Sequence, residues 1–153
     1  MEIFIDTANV DEIRDVNAWG IVDGVTTNPS LVSKTGSTLE SVLKEICTIV
    51  DGPISAEVIS VDAKSMVEEG KHLTAIHPDV VVKVPMIPEG LKATKTLNNR
   101  GIPVNVTLTP FTSFARPSSA HMLFSVIQQI MKHPLTEIGL ERFLTDHHKA
   151  TRR

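Results

Sequence analysis

The sequence predicts an α/β fold built on parallel strands, and two observations carry that reading. Over the first two thirds of the chain, short apolar runs of strand length alternate with stretches whose apolar residues recur at helical spacing. Runs such as Val80-Val81-Val82-Lys83-Val84 are also apolar on both faces, as parallel strands covered on both sides must be.

Taken in order, Ile3-Phe4-Ile5-Asp6-Thr7 reads as a first strand. A helix follows over Asp11 to Trp19, with Ile13 and Val16 inward and Gly20 as its stop. Gly24-Val25-Thr26-Thr27-Asn28 is a second strand, halted by Pro29. Ser37-Thr38-Leu39-Glu40 has the form of a capping box, and Leu39, Val42, Leu43, Ile46 and Val50 then mark one helix face. Ile54 to Ile59 is the third strand. Asp62 to Ile76 is a helix with Met66, Val67, Gly70 and Leu73 inward. Val80 to Pro85 is the fourth strand, Glu89 to Asn98 a weaker helix, and Pro103 to Leu108 the fifth strand. The pattern then breaks: residues 109–119 show no period of 2 or 3.6 and are rich in Pro, Ser and Thr, which reads as loop or disorder. Helical spacing returns at Ser125 to Lys132 and again from about Thr136 to His147, with Pro134 between.

Composition narrows the function classes. A net charge of −3 gives no global attraction to nucleic acid or anionic membrane. With no Tyr and one Trp, stacking platforms for single-stranded nucleic acid are not expected. No apolar run approaches the roughly 20 residues that span a bilayer. One cysteine excludes an internal disulfide framework and fits a reducing compartment, and the first residues lack the marks of a secretory signal, so a cytoplasmic protein is expected. The six histidines show no metal-ligand spacing. Cys47 reads as a buried thiol, and Glu68, Glu69 and Lys71 as solvated helix surface.

Chemistry gathers at the C-terminal ends of the strands. Side chains alternate faces along a strand, so Phe4 with Asp6, Thr26 with Asn28, Ser55 with Glu57, and Asn105 with Thr107 each share a face, while Lys83 lies opposite Val82 and Val84. Five strands placing polar groups in step point to one polar cavity, the location of the active site in parallel barrels. Lys83 is the sharpest feature. Withdrawing a lysine from water favours its neutral form, and a neutral amine can attack a carbonyl to form a Schiff base. The competing reading is a lysine whose stem is buried and whose head reaches solvent or Glu57. Asp6 and Glu57 are carboxylates suited to moving protons at carbinolamine and hydroxyl oxygens, or to pairing structurally with Lys83. Asn28, Asn105, Ser55, Thr26 and Thr107 offer donors and acceptors for sugar hydroxyls, or equally for nearby backbone.

The segments Phe4-Ile5-Asp6-Thr7-Ala8-Asn9, Asp23-Gly24-Val25-Thr26-Thr27-Asn28-Pro29-Ser30, Ser55-Ala56-Glu57-Val58, Val82-Lys83-Val84-Pro85 and Asn105-Val106-Thr107-Leu108 resemble, in order, the small transaldolases, whose architecture is shared by fructose-6-phosphate aldolases. His133-Pro134-Leu135-Thr136-Glu137-Ile138-Gly139-Leu140-Glu141-Arg142-Phe143 is similar to the last helices of that family. The resemblance covers residues 1–108 and about 123–147. It implies a (β/α)8 barrel, incomplete here, with five N-terminal strands and their helices plus the C-terminal helices in a single domain over 1–153. It implies Lys83 as the Schiff-base lysine, Asp6 as acid and base, Glu57 and Thr107 on the catalytic water, and Thr26, Asn28, Ser55 and Asn105 on the sugar. Glutamate at position 57 favours transaldolase, since the aldolase branch typically carries glutamine there. The implied reaction moves a dihydroxyacetone unit between sugar phosphates of the pentose phosphate pathway. The implied partners are those sugar phosphates, and no metal, organic cofactor, nucleic acid or membrane is implied.

The resemblance lapses over 109–122, an atypical segment standing where the family has two further helix–strand units and enters an eighth strand. The serine and arginine with which the family holds the substrate phosphate have no counterpart there. Barrels of this kind usually take at least ~200 residues, against 153 here. An internal deletion or a frameshifted segment would give this pattern. Three readings follow: a transaldolase-like enzyme completed by self-association as a homo-oligomer, an inactive family remnant, and a non-catalytic sugar-phosphate binder or interaction protein.

Overall fold

Residues 2–107 and 119–125 are described in the computed structural model. The strands are β1 (Glu2–Asp6), β2 (Gly24–Thr26), β3 (Ile54–Glu57), β4 (Val80–Pro85), β5 (Val104–Thr107) and β6 (Ser119–Leu123). The helices are α1 (Val10–Asn17), α2 (Pro29–Thr35), α3 (Leu39–Ile46), α4 (Ala63–Thr74) and α5 (Pro88–Asn98). The sheet runs β5-β4-β3-β2-β1-β6. From β1 to β5 every neighbouring pair is parallel, as the both-faces-apolar strands predict. This is the start of a (β/α)8 barrel, with a helical crossover between each pair of successive parallel strands.

Four of the five described helices start where a side chain supplies an acceptor for a first-turn N–H; α5, preceded by Ile87, has Pro88 at its start and no such cap. Asn9 caps α1 through the Asp11 N–H, and Asp62 caps α4 through the Ser65 N–H. Gly20, at φ 70°, closes the turn after α1 in the left-handed region that its missing Cβ permits. The expected capping box starts one residue late: Thr38, not Ser37, caps α3, accepting from the Ser41 N–H at 3.2 Å. The sequence reading has no counterpart to α2. Pro29 was expected only to halt the second strand. Its fixed φ and absent N–H equally suit the first position of a helix, and Asn28 before it caps that helix.

The outer face of the sheet and the helices bury the core. Ile5, Val25, Ile54, Ala56, Val80, Val82 and Val84 are inaccessible to solvent, as are Ile13, Val16, Leu43, Ile46, Met66 and Leu97 from the helices. Each such Leu, Ile or Met contributes roughly 1.5–3 kcal/mol over the same side chain left in water. Gly70 of α4 sits against the side chains of Val82 and Leu97, which would have to give by a few tenths of an ångström to admit a Cβ. Gly90 of α5 is tighter: a Cβ there would run into the carbonyl of Pro85 at the end of β4.

Two expectations need correction. The third strand ends at Glu57, not Ile59, because the Ile59 and Ser60 N–H groups turn away from the sheet to the Glu69 carboxylate. Ser119, read as part of a loop, begins β6, the sixth strand of a sheet expected to have five. The free edge of β1 offers a row of backbone donors and acceptors, and a passing segment satisfies them whatever its side-chain period. The chain divides into two compact units, Met1–Met122 and Leu123–Arg153. Phe124 and Ser125 are helical, and the remainder of the helices expected at 125–132 and 136–147 lies outside the described residues. Among the described residues, no helix is long and apolar enough to cross a membrane.

Candidate active site

Parallel register sets the polar side chains in two rows on the inner face. Asp6 stands opposite Thr26, and Thr26 opposite Ser55. One pleat further along, Glu57 stands opposite Lys83, and Lys83 opposite Asn105. Residues directly opposite on adjacent strands share a face. Asp6, Thr26 and Glu57 are the last residues of their strands, whereas Ser55, Lys83 and Asn105 lie within theirs.

Lys83 is 8 % exposed and lies between Val82 and Val84, both fully buried on the other face. Its Nζ is 3.1 Å from Glu57 Oε2 and donates to the Thr27 carbonyl at 3.3 Å. The side chains of the ion pair are 10 % and 13 % exposed. Holding two charges out of water costs several kcal/mol per ion, and a hydrophobic pair of similar volume is often no less stable. Stability alone therefore does not account for this pair at the mouth of a parallel sheet, where reactive groups concentrate.

The neighbouring side chains form two further pairs. Thr26 Oγ1 donates to Asp6 Oδ1 at 2.9 Å, which leaves the second carboxylate oxygen outside that bond. Asn105 Nδ2 donates to Ser55 Oγ at 3.2 Å, across the intervening β4. No buried side-chain nitrogen or oxygen among the described residues lacks a partner. The site offers an amine held by two acceptors, a carboxylate beside it, and a second carboxylate fixed by a hydroxyl. Chemically, that is the equipment for amine addition to a carbonyl with proton transfer.

Two site expectations fall differently. Asn28 Oδ1 accepts from the Leu31 N–H at 2.9 Å, so its oxygen caps α2, the nearby-backbone alternative left open above. Thr107 is the last residue of β5, opposite Pro85, and its side chain lies outside the described residues. Thr27 had drawn no attention. It is fully buried, its Oγ1 donates to the Ser55 carbonyl at 3.1 Å, and its own carbonyl receives Lys83. A backbone acceptor carries no signature in residue type, so no sequence signal could have found it.

Away from the site, Cys47 is half-buried rather than buried. It closes α3, and its burial pushes the thiol above its usual range. Glu68 pairs with Lys71 on the surface as expected, but Glu69 does not sit free in solvent: it holds the loop after β3.

Comparison with known proteins extends this picture. The profile of the family described as Transaldolase/Fructose-6-phosphate aldolase matches residues 3–113. A protein named "Probable transaldolase" from Desulfatibacillum aliphaticivorans is 41 % identical over 212 aligned positions, which take in 98 % of this chain and 99 % of that protein. Proteins of the same name from Aquifex aeolicus (strain VF5) and Caldicellulosiruptor saccharolyticus are 40 % and 38 % identical, with 98 % and 100 % of each chain covered. The 212 positions aligned with the Desulfatibacillum aliphaticivorans protein outnumber the 153 residues here, so this relative carries residues that have no counterpart in this chain.

Proposed function

The chain belongs to the transaldolase/fructose-6-phosphate aldolase family, and on that premise we propose that it is a Schiff-base transaldolase with Lys83 as its nucleophile. The observation that carries the proposal is the buried Lys83 amine, 3.1 Å from the Glu57 carboxylate. Glu57 is near enough to take a proton from the lysine ammonium. The neutral amine then adds to the ketone carbon of a ketose phosphate, and loss of water from the carbinolamine leaves an iminium ion. Asp6 removes a proton from the hydroxyl two carbons along. The carbon–carbon bond between that carbon and the carbon next to the iminium breaks, and an aldose phosphate departs. The electron pair of the broken bond stays on the lysine-bound three-carbon unit as an enamine. Attack of that enamine on a second aldose phosphate, then addition of water, releases the new ketose and restores the amine. Thr107 with Glu57 holds the water, and Thr26, Ser55, Asn28 and Asn105 hold the sugar. The buried positions of Thr26 and Ser55, with the hydrogen bonds from Thr26 to Asp6 and from Asn105 to Ser55, support this assignment. On this reading the protein serves the pentose phosphate pathway and works in the cytoplasm.

A second reading, an inactive remnant that keeps the lysine, is favoured by one observation, the residues of the Desulfatibacillum aliphaticivorans relative that have no counterpart in this chain. Reductive trapping separates the two. The protein is incubated with fructose 6-phosphate and borohydride, then analysed by intact mass and peptide map. A substrate-derived adduct on the Lys83 peptide, absent from Lys83→Met, is the expected result. No adduct, with a longer family member labelled in parallel, overturns the enzymatic reading. Sugar-phosphate binding that survives Lys83→Ala without any adduct marks a non-catalytic binder.

A further inference from the structure

Beyond Glu57 the backbone leaves the sheet, and three successive N–H groups are each held. Val58 N–H donates to the Lys83 carbonyl at 3.0 Å, which keeps the chain against β4 for one residue more. Ile59 N–H then donates to Glu69 Oε1 at 2.9 Å, and Ser60 N–H to Glu69 Oε2 at 3.1 Å. Glu69 lies on α4, in the second turn of the helix that this loop leads into, and is half-buried. Each carboxylate oxygen thus takes one amide. Charge-assisted bonds of this kind are about twice as strong as neutral ones, and a two-point grip fixes direction as well as distance.

The loop otherwise has little to hold it. Val58 is buried, but beyond it Ile59 and Val61 are 70 % and 75 % exposed, so apolar burial does not anchor the loop past Val58. Its remaining hydrogen bonds lie at its far end, where Asp62 caps α4 and the Ala63 N–H reaches Glu89. Glu57 is the last residue of this strand, and the chain beyond Val58 has left the sheet, so local opening there is cheap unless something holds it.

We propose that Glu69 is a positioning residue for the Lys83–Glu57 pair: by gripping the Ile59 and Ser60 amides it fixes the strand end from which Glu57 meets the lysine amine. The inference rests on the Schiff-base reading of Lys83. Glu69 touches neither substrate nor amine and acts through Glu57 alone. Because it is half-buried and packs no core, its replacement leaves the fold in place.

The test uses the full chain and five proteins: wild type, Glu69→Ala, Glu69→Gln, Glu57→Gln and Glu57→Gln/Glu69→Ala. Hydrogen exchange at the Ile59 and Ser60 amides reads the grip. The rate of Lys83 trapping by fructose 6-phosphate, and kcat and KM where turnover is measured, read its consequence. In Glu69→Ala both amides exchange faster and the trapping rate falls about tenfold, the cost of a misplaced reacting group, while KM stays nearly constant. Glu69→Gln keeps one acceptor oxygen and recovers part of the rate. In the Glu57→Gln background the Glu69→Ala change has no further effect, since the residue it acts through is already gone. Trapping by Glu69→Ala at the wild-type rate overturns the inference and leaves the Schiff-base reading intact. So does an equal loss with and without Glu57, which would mark a general structural role. A wild type that takes no adduct at Lys83 overturns both.

Discussion

Asn105 on β5 donates to Ser55 on β3 at 3.2 Å, although β4 runs between them. Adjacent strands are about 4.8 Å apart, so two strands removed in a flat sheet would hold these side chains well out of contact. The bond forms only because the inner face is concave. Lys83 repeats the relationship, reaching from β4 past β3 to the Thr27 carbonyl. The curvature of a barrel is thus present in five strands, and it converts two rows of separate polar residues into one site.

Asn105→Ala should cost about 1 kcal/mol of stability, the usual worth of one partly buried hydrogen bond. Ser55→Ala should cost a similar amount, and the double variant little more than either alone, because they lose the same bond. Urea denaturation of the three variants gives the comparison directly. Additive losses would mean that the two residues are not coupled in solution.

Lys83→Met removes one half of a buried ion pair and leaves the Glu57 carboxylate with no counter-charge. A loss of about 3 kcal/mol is expected, and Lys83→Met/Glu57→Gln should recover much of it, since the uncompensated charge is then gone. Both variants should be unable to form a borohydride adduct. Chemical denaturation with matched slopes measures the first part, and mass spectrometry the second.

Gly90→Ala places a methyl group against the Pro85 carbonyl. Carbonyl and helix backbone are both rigid, so α5 must shift away from the end of β4, at a cost of about 1–3 kcal/mol. Because Pro85 lies two residues beyond Lys83, slower Lys83 trapping should accompany the lower melting temperature. Gly70→Ala meets only the side chains of Val82 and Leu97, which can give way, and should cost less.

Among the described residues, Asp62 is one of four carboxylates held below their usual range, with Glu40, Glu68 and Glu89. Hydrogen bonds from Ser65, chiefly from its backbone N–H, hold the Asp62 carboxyl below its usual range. A carboxylate whose folded value is depressed adds stability that is fully present above its unfolded value. That contribution is lost as pH falls through the folded one. Asp62→Asn keeps the cap and discards the titration. Between about pH 5 and about pH 2 the wild type should therefore lose stability faster than Asp62→Asn, as read from urea midpoints at each pH. Parallel curves for the two proteins would remove Asp62 from the acid response.

Much of the site was legible in advance because its grammar is local. A period of two decides which side chains share a face, and from it Asp6, Thr26, Ser55, Glu57, Lys83 and Asn105 are expected to line one cavity. What failed depends on partners distant in sequence or on backbone atoms. Pro29 was read as a stop, although the same locked φ begins α2 once Asn28 caps it. Glu69 was read as helix surface, but its two partners are amides that stray from the sheet ten and nine residues earlier. Ser119–Leu123 is too short for its alternation to mark a strand by itself, and it lies beside the edge of β1.

By itself the sequence determined the parallel α/β order, the family, and the residue types at the strand ends, since hydrophobic periodicity and residue chemistry are properties of short stretches of chain. Only the tertiary structure decided which of those groups touch: Lys83 with Glu57 and the Thr27 carbonyl, Asp6 with Thr26, Asn105 with Ser55 across a strand, and Glu69 with the loop that follows Glu57. The reason is geometric. Strand register and sheet curvature are set by packing of the whole outer face against its helices, and a contact that closes over a curved face cannot be read from the alternation of residues along any one strand.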